Sequence, residues 1–247
     1  MRLVALLALS TLALAASSAG ASSRTEQPYC LQAGDGAASV SLRAADGARL
    51  RGLLLGSGKL GIVLGHQVGS SSCEWYEQGK TFAAAGYRVL AIDFRGFGSS
   101  PVPARLPTQA LDSDVAGAAA ELRRRGARRV VAIGSSLGGT AVVVAAASRA
   151  SRLDGVVSLS APAAYYGLDA LRAAKRLTVP ARFLAARLDG NFPADARALG
   201  RAARSRDKAV LILPGGAHGT SLLENTISAR RARAFVVAFL GRIAATA

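Results

Sequence analysis

Short apolar runs alternate with Ala-rich amphipathic stretches along most of this 247-residue chain, and this alternation constrains the fold more than any other feature. Apolar runs of about 4–8 residues are typical of buried strands, whereas longer amphipathic stretches are typical of helices. Their regular exchange predicts an α/β domain. Because no internal repeat, low-complexity linker or Pro-rich hinge interrupts the pattern, we predict one such domain.

The first two predicted strands differ from the others, because Asp46-Gly47 between them is a hairpin signal and indicates antiparallel pairing. In all, the pattern predicts eight strands, near residues 39–43, 50–55, 60–65, 88–92, 130–133, 155–159, 182–186 and 209–213. The helical stretches lie near residues 75–85, 109–125, 139–148, 193–204 and 225–242.

The N-terminus has the order of a secretory signal. Met1-Arg2 gives a charged start, residues 3–16 are apolar or small apart from Ser10 and Thr11, and Ala19-Gly20-Ala21 fits a cleavage site. We therefore predict a signal peptide over residues 1–21 and a secreted or periplasmic protein. The alternative is an uncleaved membrane anchor, although the run is shorter than the about 20 residues that a spanning helix needs. No second stretch is long enough to span, so we predict no stable membrane insertion after cleavage.

Residues 22–37 are polar and contain glycine, and we interpret them as a leader ahead of a folded domain at residues 38–247. The chain has two cysteines, Cys30 in this leader and Cys73 in the body. Export to an oxidising compartment favours a disulfide between them, which would pin the leader to the domain. The alternative is two independent thiols.

The net charge of +16 needs an explanation other than function. Arginines are scattered along the chain, the longest basic run is only Arg123 to Arg125, and aromatic residues make up 5% of the chain. Nucleic-acid sites interleave basic and aromatic side chains. We therefore predict no nucleic-acid partner and attribute the charge to composition. A basic surface-adhesion module is the alternative, which would require the arginines to gather on one face.

Gly134-Ser135-Ser136-Leu137-Gly138 lies between the apolar run at residues 130–133 and a helix-like stretch from Thr140. A Gly-x-Ser-x-Gly string at a strand-to-helix turn lets the serine take a strained, exposed backbone, because the flanking glycines carry no Cβ atoms. The string alone arises easily by chance, so the prediction depends on its context. We predict Ser136 as a nucleophile. The alternative is a Gly-rich turn with an idle serine.

A serine hydroxyl needs a base, and the chain offers two histidines. His218 lies in the Gly-rich loop at residues 214–220, after the last predicted strand, where an imidazole can reach a serine at another strand's end. We predict His218 as the base. His66 ends the third predicted strand, and we interpret it as a residue that shapes the loop or the pocket.

The base needs a carboxylate that fixes its tautomer. Asp189 follows the seventh predicted strand and lies between the serine and the histidine in chain order. Its alternative role is to cap the helix that begins at Pro193. Asp169 lies in a helical-looking stretch and Asp195 within the next helix, so both are weaker candidates.

The order Ser136, Asp189, His218, with each residue beyond its own strand, resembles the α/β-hydrolase superfamily over residues 38–243. The string from Asp93 to Ser100, Asp-x-Arg-Gly-x-Gly-x-Ser, is characteristic of that family, in which we expect Asp93 and Arg95 to be structural. The resemblance implies the α/β-hydrolase fold, a mostly parallel eight-stranded sheet with helices on both faces. It also implies a serine hydrolase of the dienelactone-hydrolase-like or small esterase type, with no metal or organic cofactor.

The resemblance further implies an oxyanion hole formed by the N–H groups of Leu137 and Val68. The sequence departs from the family here, because His66-Gln67 replaces the common His-Gly. Gln67 could add a donor or crowd the site. The departure leaves open a second hypothesis, a catalytically silent binding protein on the same fold.

Only residues 161–180 separate the sixth and seventh predicted strands, where this family carries its specificity insertion. We expect a short helix carrying Tyr165 and Tyr166, no large lid, and an open substrate pocket that could include Gln67, His66, Tyr165 and Tyr166. Tyr165, Tyr166, Phe192 and Trp75 are each equally consistent with lining an acyl pocket and with ordinary packing.

We therefore predict an exported serine hydrolase that cleaves carboxylic ester or related acyl bonds of a small-molecule substrate through an acyl-enzyme. A dehalogenase of this fold would carry aspartate at position 136. The acyl group, the alcohol and the oligomeric state are not predicted.

Overall fold

A computed structural model describes residues 28–224 and 228–245, and ten strands form within them. The strands are β1 (Ala37–Arg43), β2 (Arg49–Leu55), β3 (Leu60–Gly65), β4 (Arg88–Asp93), β5 (Arg129–Ser135), β6 (Gly155–Leu159), β7 (Ala164–Tyr165), β8 (Leu168–Asp169), β9 (Ala181–Ala186) and β10 (Lys208–Leu213). The helices are α1 (Tyr76–Ala84), α2 (Leu111–Arg124), α3 (Leu137–Ala146), α4 (Ala170–Ala174), α5 (Phe192–Ala202) and α6 (Ala229–Ala244).

Eight of these strands form the predicted sheet, in the order β1-β2-β4-β3-β5-β6-β9-β10. The predicted antiparallel hairpin is confirmed, and β2 also pairs antiparallel with β4. All remaining neighbours are parallel. The carboxyl ends of the six parallel strands therefore meet at one edge of the sheet, which is where ligands bind in open α/β sheets.

Helices cover both faces of the sheet, as the family resemblance implies. The apolar side chains of α2, α3, α4 and α5 pack with one face, and those of α1 and α6 pack with the other. Strands β3, β6 and β9 are buried at every residue, which explains why their sequences do not alternate between apolar and polar residues. Ser158 in β6 and Arg182 in β9 are their buried polar residues.

The segment between β6 and β9 corrects one prediction. Tyr165 lies in a two-stranded antiparallel ribbon of β7 and β8, and Tyr166 lies in the turn between them, so neither is on the expected helix. Asp169 ends this ribbon and caps α4 by accepting a hydrogen bond from the Arg172 N–H at 2.7 Å. Among the described residues, the ribbon and the five-residue α4 are the only elements between β6 and β9, so the prediction of no large lid is confirmed.

The predicted leader is held against the body where the structure describes it. A disulfide joins Cys30 to Cys73, with Cα atoms 5.6 Å apart, as predicted. Nearby, the Tyr76 hydroxyl donates to Asp35 Oδ2 at 2.5 Å and accepts from the Gln32 N–H at 3.2 Å. The predicted signal peptide at residues 1–21 lies outside the described residues.

None of the helices in the described ranges has both the length and the apolar character needed to cross a bilayer.

Candidate active site

Ser136 lies between the end of β5 and the start of α3, with φ 51° and ψ −114°. A positive φ is costly for a residue with a Cβ and persists only where the surroundings enforce it, most often at functional sites. Here the Ser136 N–H donates to the Leu159 carbonyl of β6 at 2.8 Å. A Cβ at Gly138 would overlap the Gly65 carbonyl, so this glycine lets α3 start directly against the end of β3.

His218 follows β10 and Asp189 follows β9, at the same edge of the sheet. His218 Nδ1 lies 3.0 Å from each carboxylate oxygen of Asp189. Since a carboxylate only accepts, Nδ1 carries the proton and donates it, which leaves Nε2 as the acceptor. The Phe192 ring packs beside the imidazole, with ring centroids 4.5 Å apart.

The turn after His218 packs against the end of β5. A Cβ at Gly219, where φ is +57°, would overlap Ser135 Oγ and would lie 3.4 Å from Gln67 Oε1. The histidine loop therefore lies against both the serine elbow and the loop after β3. The structure thus brings the predicted base, acid and nucleophile to one edge of the sheet.

Ser160 is a site residue that sequence reasoning missed. It follows β6 directly, is fully buried, has φ 48°, and donates its hydroxyl to Asp189 Oδ2 at 2.7 Å. Asp189 follows β9, and its carboxylate is held by Ser160 after β6 on one side and by His218 after β10 on the other. The available signal was its position, because Ser160 ends a parallel strand that lies between those of Ser136 and Asp189.

The sequence left two roles open for His66, shaping the loop or lining the pocket, and its contacts are those of a residue that shapes the loops. It is fully buried, its Nε2 accepts from the Phe94 N–H at 3.1 Å, and its Nδ1 lies 2.7 Å from the Gln67 carbonyl. Burial lowers the pKa of His66 to about 4, against the opposing effect of the Gln67 carbonyl and Asp93. A neutral imidazole with both nitrogens bonded joins the loops after β3 and β4, which is a structural role.

The two loop residues predicted to shape the oxyanion site follow β3. The Gln67 N–H donates to Glu74 Oε2 at 2.8 Å, so its backbone is fixed by a side chain seven residues away. Val68 comes next and is 44% exposed. On the other side, Leu137 is the first residue of α3, where an N–H has no partner within the helix and remains available to an anion.

Of the four aromatic candidates, Tyr165, Tyr166 and Phe192 lie in the segments that follow β6 and β9, whereas Trp75 lies in the core. Tyr165 is 46% exposed on the ribbon, and Tyr166 packs against Phe97 with ring centroids 6.1 Å apart. Phe192 contacts His218 as described. Trp75 is fully buried in the core, so of the two roles left open for Trp75, ordinary packing is the one that the structure selects.

Asp93 and Arg95 are structural, as expected. The Asp93 carboxylate accepts the N–H groups of Ser72 at 2.5 Å and Ser99 at 2.8 Å. The buried Arg95 guanidinium forms ion pairs with Asp114 at 2.6 Å and Asp46 at 2.7 Å. Burial lowers the pKa of Arg95, but hydrogen bonds to these two carboxylates outweigh it and raise that pKa above its usual range.

Within the described ranges, no group of three or more His, Cys, Asp or Glu side chains is arranged to hold a metal ion.

A family profile described as alpha/beta hydrolase fold matches residues 62–207. Among curated relatives, the bifunctional epoxide hydrolase 2 of Sus scrofa is 33% identical over 47% of this chain and 21% of its own length. The epoxide hydrolase A of Mycobacterium tuberculosis is 33% identical over 52% of this chain and 40% of its own length. The chain thus spans less than half the length of these two relatives.

Solved structures resemble the chain over a larger share. The alpha/beta hydrolase GrgF from Penicillium superposes with a TM-score of 0.71 at 16% identity, covering 85% of this chain and 99% of its own. The dienelactone hydrolase from Anabaena variabilis superposes with a TM-score of 0.64 at 20% identity, covering 82% and 95%. At such identities the likeness establishes the fold alone.

Proposed function

Because the chain belongs to the alpha/beta hydrolase fold family, we propose that it is an exported serine hydrolase that cleaves carboxylic esters or related acyl bonds of small molecules. The observation that carries the proposal is the backbone of Ser136, a non-glycine residue held at φ 51° on the strand-to-helix turn. Such strain has a use where the hydroxyl must stand clear of its own chain and meet a substrate.

In this proposal Ser136 Oγ attacks the acyl carbon while His218 Nε2 takes its proton. Asp189 holds the imidazole through Nδ1 and stabilises the imidazolium that forms, and Ser160 fixes Asp189 in turn. The N–H groups of Leu137 and Val68 stabilise the oxyanion. His218 then protonates the leaving alcohol. In the second half of the reaction, His218 takes a proton from water, the water oxygen attacks the acyl carbon, and His218 returns the proton to Ser136 Oγ as the acid leaves.

The named relatives raise epoxide hydrolysis as a second candidate, and the chemistry of position 136 argues against it. A carboxylate that opens an epoxide forms an ester, which water can cleave. A serine alkoxide that opened an epoxide would form an ether, which has no carbonyl for water to attack. A serine nucleophile turns over only if its intermediate is an ester or another acyl derivative, so Ser136 favours acyl substrates.

We expect a small ester to reach the site without displacing a lid, because the ribbon and the five-residue α4 are the only described elements between β6 and β9. Tyr165, on that ribbon, is 46% exposed. These features do not select an acyl chain length, which is why the test below uses a series of lengths.

Export is proposed from the N-terminal pattern, and the Cys30–Cys73 bridge supports it, because disulfides persist in oxidising compartments. Expression of the full chain in a bacterial host, followed by N-terminal sequencing of the protein in the periplasm or medium, tests it. We expect the processed chain to begin at residue 22. Retention of full-length chain in the membrane fraction would support the anchor instead.

The nucleophile is tested with a fluorophosphonate probe and chromogenic acyl esters of increasing length, together with an epoxide such as styrene oxide. Wild type should label and hydrolyse esters, and Ser136→Ala should lose both by a factor of about 10⁴ or more. Ser148→Ala, an exposed serine beyond α3, is the matched control and should label like wild type. Epoxide turnover without ester turnover, or folded protein inert to every probe, would overturn the proposal, and the second result favours a silent binding protein.

A further inference from the structure

Glu74 is a half-buried carboxylate on the 3₁₀ turn Ser72–Trp75, between β3 and α1. We propose that Glu74 is a positioning residue that holds the oxyanion loop, the serine elbow and the histidine loop in register. The inference rests on the proposed serine hydrolase activity, in which those three loops must meet within hydrogen-bond distance of one substrate. Glu74 touches none of the reacting atoms.

The direct contact is with the oxyanion loop. Glu74 Oε2 accepts the Gln67 N–H at 2.8 Å, and Gln67 directly precedes the proposed oxyanion donor Val68. Each peptide group is planar, and the planes that carry the Gln67 and Val68 N–H groups are joined through the Gln67 Cα atom. A carboxylate that fixes the Gln67 N–H therefore restricts where the Val68 N–H points. Gln67 stands where the family commonly has glycine, and the hydrogen bond to Glu74 still fixes the backbone at this position.

The other two loops pass close to this carboxyl group without forming a hydrogen bond to it. Burial raises the pKa of Glu74, and the hydrogen bond from the Gln67 N–H opposes that rise, with the hydroxyls of Ser135, Ser70 and Thr220 nearby. Ser135 directly precedes the nucleophile, and Thr220 lies two residues after the base. Gly219 packs between Ser135 Oγ and Gln67 Oε1, so these segments are in contact with one another as well.

The turn that carries Glu74 is anchored independently of the carboxylate. Asp93 accepts the Ser72 N–H at 2.5 Å, and the disulfide fixes Cys73 to Cys30. The position of Glu74 is therefore fixed by contacts of its own turn. We infer that the turn positions the oxyanion loop and not the reverse, because the turn has these anchors of its own.

Glu74 does not have the surroundings of a stabilising ion pair. No ion pair among the described residues includes it, and Glu74 Oε1 has no hydrogen-bond partner there. Four of the six buried side-chain polar atoms without a partner in this part of the chain belong to Ser72, Glu74, Trp75 and Ser135. Burying such groups is unfavourable for folding, and three of these four lie on the turn that carries Glu74, which favours a role for this turn other than stability.

Glu77, three residues further on, shows what a carboxylate that merely favours the helix looks like. Its side chain is 74% exposed, lies in the first turn of α1 and pairs with Lys80 at 2.9 Å. Glu77 serves α1, whereas Glu74 faces the loops of the site. The two residues therefore form a matched pair for the experiment.

The test compares Glu74→Ala, Glu74→Gln and Glu77→Ala with wild type, all as full chains. The readouts are kcat and KM for an ester, the rate constant of fluorophosphonate labelling, and urea unfolding. We expect Glu74→Ala to lower kcat and the labelling rate constant by about 10- to 100-fold, which is less than the about 10²- to 10³-fold loss seen when an oxyanion donor itself is removed. KM and the unfolding midpoint should change little, because the lost interaction concerns the transition state.

Glu74→Gln keeps a carbonyl oxygen that can accept the Gln67 N–H, so it should recover most of the activity that Glu74→Ala loses. Glu77→Ala should match wild type. If Glu74→Ala labels as fast as wild type, or loses its fold and activity together while Glu74→Gln gains nothing back, this inference is overturned. A wild type that neither labels nor hydrolyses any ester overturns the proposed function instead.

Discussion

The Arg95 cluster (Asp46, Arg95, Asp114) and the Glu74 cluster (Glu74, Gln67, Ser135) both bury polar groups near the carboxyl edge of the sheet, but they are bonded differently. In the Arg95 cluster, the guanidinium donates from all three nitrogens to two carboxylates and to the Pro107 carbonyl. In the Glu74 cluster, one firm hydrogen bond holds the carboxylate, and two buried oxygens have no partner.

The difference separates groups that serve the fold from groups that serve the site. A buried charge that is fully bonded is neutral for stability while intact and costly to break. A buried group with unmet hydrogen bonds lowers stability, so it is retained only where something else depends on it. His66 joins the two clusters, because it bonds the Phe94 N–H beside Arg95 and the Gln67 carbonyl beside Glu74.

The largest expected effect comes from Arg95→Met. Removal of the guanidinium leaves Asp46 and Asp114 without their cation, which should lower the free energy of unfolding by about 3–5 kcal/mol. Urea unfolding can be followed by the fluorescence of Trp75, the only tryptophan, which is fully buried. Arg230→Met, on the exposed side of α6, is the control. A loss below about 1 kcal/mol would remove the distinction between the clusters.

The next effect is acid sensitivity through His66. Its folded pKa of about 4 lies below the unfolded value near 6.5. As the pH falls below about 6.5, the unfolded chain takes up a proton that the folded chain refuses. The free energy of unfolding should therefore fall by up to about 1.4 kcal/mol per pH unit, roughly 3 kcal/mol by pH 4.

Urea titrations of wild type and His66→Asn at pH 7, 5 and 4 check this prediction. The variant should be less stable at pH 7, because it loses a ring nitrogen that accepts the Phe94 N–H, but its stability should depend less on pH. Equal pH dependence in the two proteins would show that other groups cause the acid sensitivity.

Gly219→Ala tests the contact between the histidine loop and the elbow. The added Cβ would overlap Ser135 Oγ and place an alanine at φ +57°, so we expect kcat to fall about 10-fold or more and stability by about 1–2 kcal/mol. The double variant Ser135→Ala/Gly219→Ala removes the overlapped atom and should regain part of the kcat. If the double variant is as slow as Gly219→Ala, the loss arises from backbone strain alone.

The smallest effect should come from Ser135→Ala, which deletes a buried hydroxyl without a partner. Its stability should stay within about 1 kcal/mol of wild type or rise. Ser160→Ala is the informative comparison, because the Ser160 hydroxyl bonds Asp189 at 2.7 Å and its loss leaves a carboxylate oxygen unsatisfied. Unfolding curves should therefore rank Ser160→Ala below Ser135→Ala, and the opposite rank would contradict the pairing described here.

The pattern of apolar runs was sufficient to predict the sheet, because buried parallel strands such as β3 consist of consecutive residues without charged side chains. It failed for the β7–β8 ribbon, whose two-residue strands are too short to show a period. The Gly167 turn, at φ 76°, was the one local cue to it.

The candidate site divides in the same way. Ser136, Asp189 and His218 were predictable because each follows its own strand, and parallel strands end at one edge. Glu74 and Ser160 were not, because their importance lies in contacts made in space. Ser160 meets a carboxylate 29 residues away, and the surroundings of Glu74 include segments from three different loops.

The Cys30–Cys73 bridge has a consequence for the cell that makes this protein. In a reducing cytosol the two thiols stay apart, and the turn that carries Glu74 loses one of its two anchors. Under the proposed ester hydrolysis and export, a newly made chain should therefore have low activity until it reaches an oxidising compartment. Recombinant protein recovered from a reducing cytoplasm should be correspondingly sluggish, and oxidation after purification should restore its full turnover.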